Sequence, residues 1–292
     1  AGGTDRSVTV DTTAPTLALT AEPATYTSTA TPTLSVSSSE TVTYTCQIDG
    51  GAWQACAATT TTVELAEGQH TVVIRGTDAS GNRTSVSSTF TVDLTAPGAT
   101  ITAAPADLTQ GTSARFEFAA SEPATAQCRL DDRAWGACEG AITFDALADG
   151  RHTFALKVRD RAGNDSTIVT RSWTVDTTSP TITFSTQQNR LVNSRSAAIA
   201  FSSAEAATFS CRVDDGLWAA CASPFAPTVA SDGAHTLRVQ AVDDVGLVSA
   251  VALYTWSVDT LAPSASISGA PAGFSKDTAI AVTFAAREPG ST

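Results

Sequence analysis

Methionine is absent from the 292 residues, and basic side chains are scarce: 17 Lys and Arg face 29 Asp and Glu, a formal charge of −12. A phosphate-binding surface needs a basic face, so nucleic acid and anionic membranes are poor partners, while calcium or a basic partner stays compatible. No apolar run approaches the roughly 18 residues of a spanning helix, so this segment carries no membrane span. No stretch sustains a 3.6-residue apolar period with caps. Catalytic signatures are missing too: no G-x-S-x-G, H-E-x-x-H, P-loop or G-x-G-x-x-G. With only three histidines, the chain reads as no enzyme. Without methionine, Ala1 is not an initiator, which reads as a processed product or a slice of something longer. What is present suits a globular chain, since 42% of the residues are hydrophobic, and length alone suggests about two domains.

A repeat replaces that estimate. VDTTAP ends at Pro15, VDLTAP at Pro97, VDTTSP at Pro180 and VDTLAP at Pro263. Their aspartates stand at 11, 93, 176 and 259, steps of 82, 83 and 83. Cys46, Cys128 and Cys211 keep the step, as do Trp53, Trp135 and Trp218; Cys56, Cys138 and Cys221; and His70, His152 and His235. Glu40, Glu122 and Glu205 repeat as well, with Asp78, Asp160 and Asp243. The expected organisation is the last strand of a preceding repeat at 1–10, full repeats at 11–93, 94–176 and 177–259, and the start of a fourth at 260–292. The chain reads as a window on a longer array.

Each repeat is written in short alternating runs rich in Thr and Val, punctuated by Gly, Pro, Asp or Ser. In the first they are 16–20, 33–37, 41–48, 61–65, 70–78 and 84–92; a short strand after Trp53 brings the number to about seven. This predicts an all-β protein of tandem immunoglobulin-like (fibronectin-III-like) sandwiches in an extended array, with a barrel as the alternative. On the final strand Phe90, Trp173 and Trp256 alternate with Val92, Val175 and Val258, which predicts core.

One cysteine pair falls in each repeat, Cys46/Cys56, Cys128/Cys138 and Cys211/Cys221, around an Asp-rich turn and a Trp. A hairpin would set the two cysteines face to face, close enough for a disulfide with slight adjustment. Zinc is the rival, but it favours CxxC knuckles or histidine partners, which this spacing lacks. Three short-loop disulfides would contribute about 2–3 kcal/mol each and place the chain in an oxidising, extracellular compartment.

Together, C-R-L/V-D-x-x-x-W-x-x-C, G-x-H-T, D-x-x-G-N and VDTTAP resemble the bacterial Ig-like repeats of large surface and secreted proteins. The resemblance covers the whole chain and implies stacked sandwiches used as stalks or adhesive rods on a bacterial surface; it does not imply an enzymatic activity. Repeat three departs from it, because Leu247 stands where Asn82 and Asn164 stand in the others.

In such a topology the linker, the loop after the second strand and the loop before the last strand share one tip. Glu67, Asp93, Glu122 and Asp160 should therefore gather at the first junction, with Asn164 beside them. Asp149, Asp176, Glu205 and Asp243 should gather at the second, leaving Asp232, Asp259 and Glu288 for the partial repeat. Calcium takes six to eight oxygens, and the resemblance implies calcium-stiffened junctions. The competing reading is of solvated loop acids, with D-x-x-G-N serving as a turn.

The histidines read as paired or surface groups. Trp53, Trp135 and Trp218 read as covers for the disulfide or the core, with sugar binding as the alternative. The sequons at Asn82 and Asn164 carry little weight. Beyond the rod, two functions stay open: a filament or sheath subunit joined by strand donation, and a carbohydrate-binding accessory module of a secreted enzyme. Partners would be neighbouring repeats, further copies of the chain, or a host, cell or glycan surface.

Overall fold

The computed structural model describes residues 9–269, 273–274, 276 and 278–286. Among these every regular element is a strand. The first repeat holds β1 (Leu17–Ala21), β2 (Tyr26–Thr27), β3 (Thr33–Ser38), β4 (Thr43–Ile48), β5 (Gln54–Cys56), β6 (Thr59–Thr61), β7 (Gly68–Thr77) and β8 (Arg83–Val92). The second holds β9 (Ala99–Ala103), β10 (Leu108–Thr109), β11 (Ala114–Ala120), β12 (Ala124–Leu130), β13 (Gly136–Cys138), β14 (Ala141–Phe144), β15 (Gly150–Asp160) and β16 (Val169–Val175). In the third are β17 (Ile182–Phe184), β18 (Arg190–Val192), β19 (Phe201–Ser203), β20 (Ala207–Val213), β21 (Ala219–Cys221), β22 (Gly233–Asp243) and β23 (Ala252–Val258). A last hairpin pairs β24 (Ala265–Ser268) with β25 (Thr283–Ala286).

Two compact units result, residues 1–176 and 177–292. In the first unit each repeat packs a three-stranded sheet, β1-β3-β6 or β14-β11-β9, on a five-stranded one, β2-β8-β7-β4-β5 or β10-β16-β15-β12-β13. The first strand changes sheets partway: β1 pairs antiparallel with β3, then β2 runs parallel to β8. In the second unit β17-β19 faces β18-β23-β22-β20-β21, and isolated bridges at Ser196–Thr228 and Ile199–Phe225 stand where the third strand of the smaller sheet would be.

Alternation explains the burial. On β7, Val72 and Ile74 point into the core while Thr71, Val73 and Arg75 face outward. Phe90, Trp173 and Trp256 are almost fully buried in three separate hydrophobic clusters, each worth about 2–3 kcal/mol in transfer energy. Pro15, Pro97 and Pro180 are buried just ahead of a first strand, where a missing N–H does not interrupt a ladder.

Two local expectations change. The run 61–65 is strand only at its start; beyond β6 the chain leaves the ladder, although Leu65 stays buried and its N–H bonds the Ala30 carbonyl at 2.8 Å. The expected last strand of a preceding repeat at 1–10 lies outside the described residues apart from Thr9 and Val10, which belong to no strand. Glu288 lies outside them as well.

Candidate functional site

The loops at one tip of each sandwich in the first unit gather carboxylates. Asp93, Glu122 and Asp160 each place an oxygen within 4.8 Å of the others, and so do Asp11, Glu40 and Asp78. The first group contains three of the four residues expected there. The second was open to discovery from the 82-residue step of its members.

Each inner aspartate is already engaged by its own loop. Asp160 Oδ1 accepts from the N–H groups of Gly163 and Asn164 at 2.7 and 2.9 Å, and Oδ2 accepts from Asn164 Nδ2 at 2.8 Å. Desolvation opposes its ionisation, but these bonds outweigh it and hold the carboxyl below its ordinary value. Asp78 is bound in the same way by Asn82 and Ser80, and its pKa is lowered chiefly by the Asn82 amide. The same amides reach the linkers. Asn164 Nδ2 donates to the Asp93 carbonyl at 2.8 Å, and Asn82 Nδ2 to the carbonyls of Asp11 and Thr13, both at 3.2 Å.

Glu67 does not join the Asp93 group. Its Oε1 accepts from Leu94 N–H at 3.0 Å and from the Thr95 hydroxyl at 2.5 Å, bonds that lower its pKa, the hydroxyl foremost. The linker 93–95 is therefore held from both sides, by Glu67 of one repeat and Asn164 of the next. Asp232 makes the matching bracket in the second unit, accepting from Thr260 N–H at 2.8 Å. Glu205 and Asp243 each bring a carboxylate oxygen within 4.8 Å of the other. Asp149 sits in the turn before β15 and Asp176 follows β16.

Three disulfides close the hairpins, Cys46–Cys56, Cys128–Cys138 and Cys211–Cys221, with Cα separations of 5.8, 5.9 and 5.7 Å. The cysteines are not directly opposite. Cys46 faces Gln54 while Cys56 faces Tyr44, and the other two hairpins keep the same two-residue offset. The bridge is diagonal, made across a twisted pair.

A second tie fixes the same hairpins, and sequence reasoning missed its partner residue. His70 Nδ1 lies 2.7 Å from Asp49 Oδ2, His152 Nδ1 2.9 Å from Asp131, and His235 Nδ1 2.8 Å from Asp214. Each Nε2 meets a carbonyl, of Ala66, Ala148 or Ser231, at 2.9–3.0 Å. Two acceptors call for two ring N–H groups, which only the imidazolium provides. The aspartates occupy left-handed turn positions, with φ of 50, 52 and 48°, which Asp tolerates. The glycine of G-x-H-T adopts φ of 128, 124 and 120°, so the turn that aims the histidine needs a residue without Cβ. A signal existed: the Asp in C-x-x-D recurs 21 residues before the His in every repeat.

Trp53, Trp135 and Trp218 belong to none of the three hydrophobic clusters. They lie on the outer face of the five-stranded sheets, each beside a cation.

This architecture defines a tandem of Ig-like sandwiches. Residues 2–94 match the model of the bacterial Ig-like domain family, and the later repeats carry the same landmarks. No match was found among curated proteins. Similar solved structures include a tetra-tandem repeat from the extending region of a large adhesion protein. It is 15% identical, with 85% of this chain and 74% of that one covered, at a TM-score of 0.35. A Ca2+-stabilised adhesin that helps an Antarctic bacterium reach out and bind ice is 18% identical, with 89% and 78% covered, at 0.36. Fibronectin(III)-like modules of Clostridium thermocellum CbhA are 14% identical, with 55% and 94% covered, at 0.29.

Proposed function

We propose that the chain is a non-enzymatic, extracellular structural segment, a rod or stalk of disulfide-stapled Ig-like repeats on a bacterial surface. Its domains in this reading are the repeats 11–93, 94–176 and 177–259, with 1–10 from a preceding repeat and 260–292 opening a fourth. The observation that carries it is the two-sided hold on the linker 93–95, by Glu67 and Asn164. A tie of this kind removes torsional freedom between consecutive domains, whereas an untied linker leaves relative motion as the default.

Calcium belongs to the same reading. Asp93, Glu122 and Asp160 offer oxygen donors alone, which suit a hard divalent cation, and crowded carboxylates repel one another until a cation screens them. These three would hold the ion at the tip of the second repeat; Asp11, Glu40 and Asp78 would do so at the first. Glu205 and Asp243 stand in the corresponding loops of the third repeat. Glu67 and Asp232 serve the linkers instead.

Small-angle scattering of the chain tests the rod. A rod-like cross-section regime is expected for the native protein, and Glu67→Gln with Asn164→Ala should shorten and broaden its distance distribution. A native chain already scattering as flexibly linked beads would overturn the reading.

A further inference from the structure

Among the described residues four arginines hold an acidic partner, Arg115 with Glu117, Arg159 with Asp165, Arg171 with Asp107 and Arg195 with Asp232, and eleven lysines and arginines hold none. Among the described residues Arg75, Arg129, Lys157 and Arg212 make no ion pair. Each instead lies by the tryptophan of a cysteine hairpin: Arg75 at 3.5 Å from the Trp53 ring centre, Arg129 and Lys157 at 5.0 and 5.1 Å from Trp135, and Arg212 at 5.4 Å from Trp218.

The cation is retained although its position shifts. Two outward slots approach the indole in each repeat, filled by Gln47 and Arg75, then Arg129 and Lys157, then Arg212 and Gln240. One slot at least is cationic every time, and neither is ever acidic. The strands of the five-stranded sheets contain no acid besides Asp160 and Asp243, both buried. Arg129 Nε and Arg212 Nε are buried without a hydrogen-bond partner.

We infer that the Trp–cation stacks on the outer sheet faces form a repeated binding surface for an acidic polysaccharide. The guanidinium or ammonium group meets a uronate or sulfate, and the indole packs on the sugar ring. Uronate or sulfate groups along such a glycan can meet these cations one or two at a time in each repeat. A polynucleotide needs a continuous basic stripe, which one or two cations per repeat do not form. Single sites of this kind are weak, and repetition supplies avidity. This surface is independent of the rod reading, since a flexible chain of the same domains would carry it too.

Affinity electrophoresis of the native chain at low salt provides the test, in gels containing alginate, neutral dextran or poly(U). Alginate should retard the chain while dextran and poly(U) leave it unmoved. The quadruple variant R75Q/R129Q/K157Q/R212Q should bind alginate about tenfold more weakly or worse, with an unchanged melt. R115Q/R151Q/R171Q/R195Q removes equal charge outside the stacks and should stay within about twofold of native. No retardation by alginate, equal retardation by poly(U), or equal loss in both variants would overturn the assignment. Should the first variant melt, the comparison of polymers on the native chain still decides.

Discussion

Asp78 and Asp160 have both carboxylate oxygens bound within their own loops, the second oxygen by the Nδ2 of Asn82 or Asn164 at 2.9 and 2.8 Å. At Asp243 the backbone part of that pattern survives, with Oδ1 accepting from Val245 and Leu247 N–H at 2.9 and 2.8 Å. The amide does not, because Leu247 has replaced asparagine, and Asp243 Oδ2 is left buried with no hydrogen-bond partner. A buried acceptor of this kind is a standing cost of about 1–3 kcal/mol. Leu247→Asn is therefore expected to stabilise the third repeat by about 1 kcal/mol, after allowing for the leucine packing it removes. In a domain of this size that is roughly 4 °C in melting temperature. Differential scanning calorimetry reads it directly, and a melt that stays or falls would show that Asp243 Oδ2 finds its partner elsewhere.

At the scale of elements, the His–Asp clasp ties the cysteine hairpin to the loop before the long strand β7, β15 or β22. The three histidines have pKa values raised above their ordinary 6.5. For His70 the Asp49 bond is the main cause, and for His152 it is the Ala148 carbonyl, with Arg133 opposing. Burial works against His235, but Asp214 and Ser231 outweigh it. The aspartates sit below their ordinary 3.8; desolvation resists, and the histidine and a backbone N–H overcome it. A raised histidine pKa contributes stability in full below about pH 6.5 that is lost as pH climbs through the folded value. A lowered aspartate pKa contributes stability above about pH 4 that is lost on acidification through its folded value. Clasp stability should thus peak between about pH 4 and 6.5. Its size is about 1 kcal/mol per repeat, taking a charged hydrogen bond and discounting it for the exposed aspartate. Melting curves across pH 3–9 should show that maximum, and His152→Gln should flatten it for the second repeat. A native optimum above pH 8 would contradict the clasp.

The elements also show why some of this was legible and some was not. Period-two runs mark the long strands because one face is core, so Val72 and Ile74 betray β7 and Trp173 betrays β16. Two-residue β2 and β10 carry no period, and their parallel pairing with β8 and β16 depends on partners some 65 residues away. The repeat located the carboxylate loops of the first unit, yet Glu67 looked equivalent to Asp93 until the linker gave it two donors, the Leu94 N–H and the Thr95 hydroxyl. The diagonal cysteine offset was also hidden, since the spacing specifies a hairpin but not which residues oppose. Tryptophan orientation follows from that register: Trp135 shares the outward parity of Arg129 once Cys128 faces Gly136.

For the whole molecule, the charge of −12 acts where acids are crowded, and the proposed calcium sites set how much of that repulsion folding must overcome. Asp93, Glu122 and Asp160 already sit within 4.8 Å of one another, so an ion would need little rearrangement, and Asn164 already orients Asp160. Extracellular modules bind calcium at about 10⁻⁴–10⁻³ M. At about 10 mM calcium, binding to the folded state alone then adds about 1.4–2.7 kcal/mol at this site, enough to raise the melting temperature by several degrees. Calorimetry in EDTA and in calcium should show the rise, and Glu122→Gln should reduce it by removing one anionic donor while leaving the Asp160–Asn164 turn intact. Magnesium at equal concentration should do less, because it dehydrates reluctantly and demands strict octahedral geometry. Superimposable melts in EDTA and calcium would leave these carboxylates as loop caps alone.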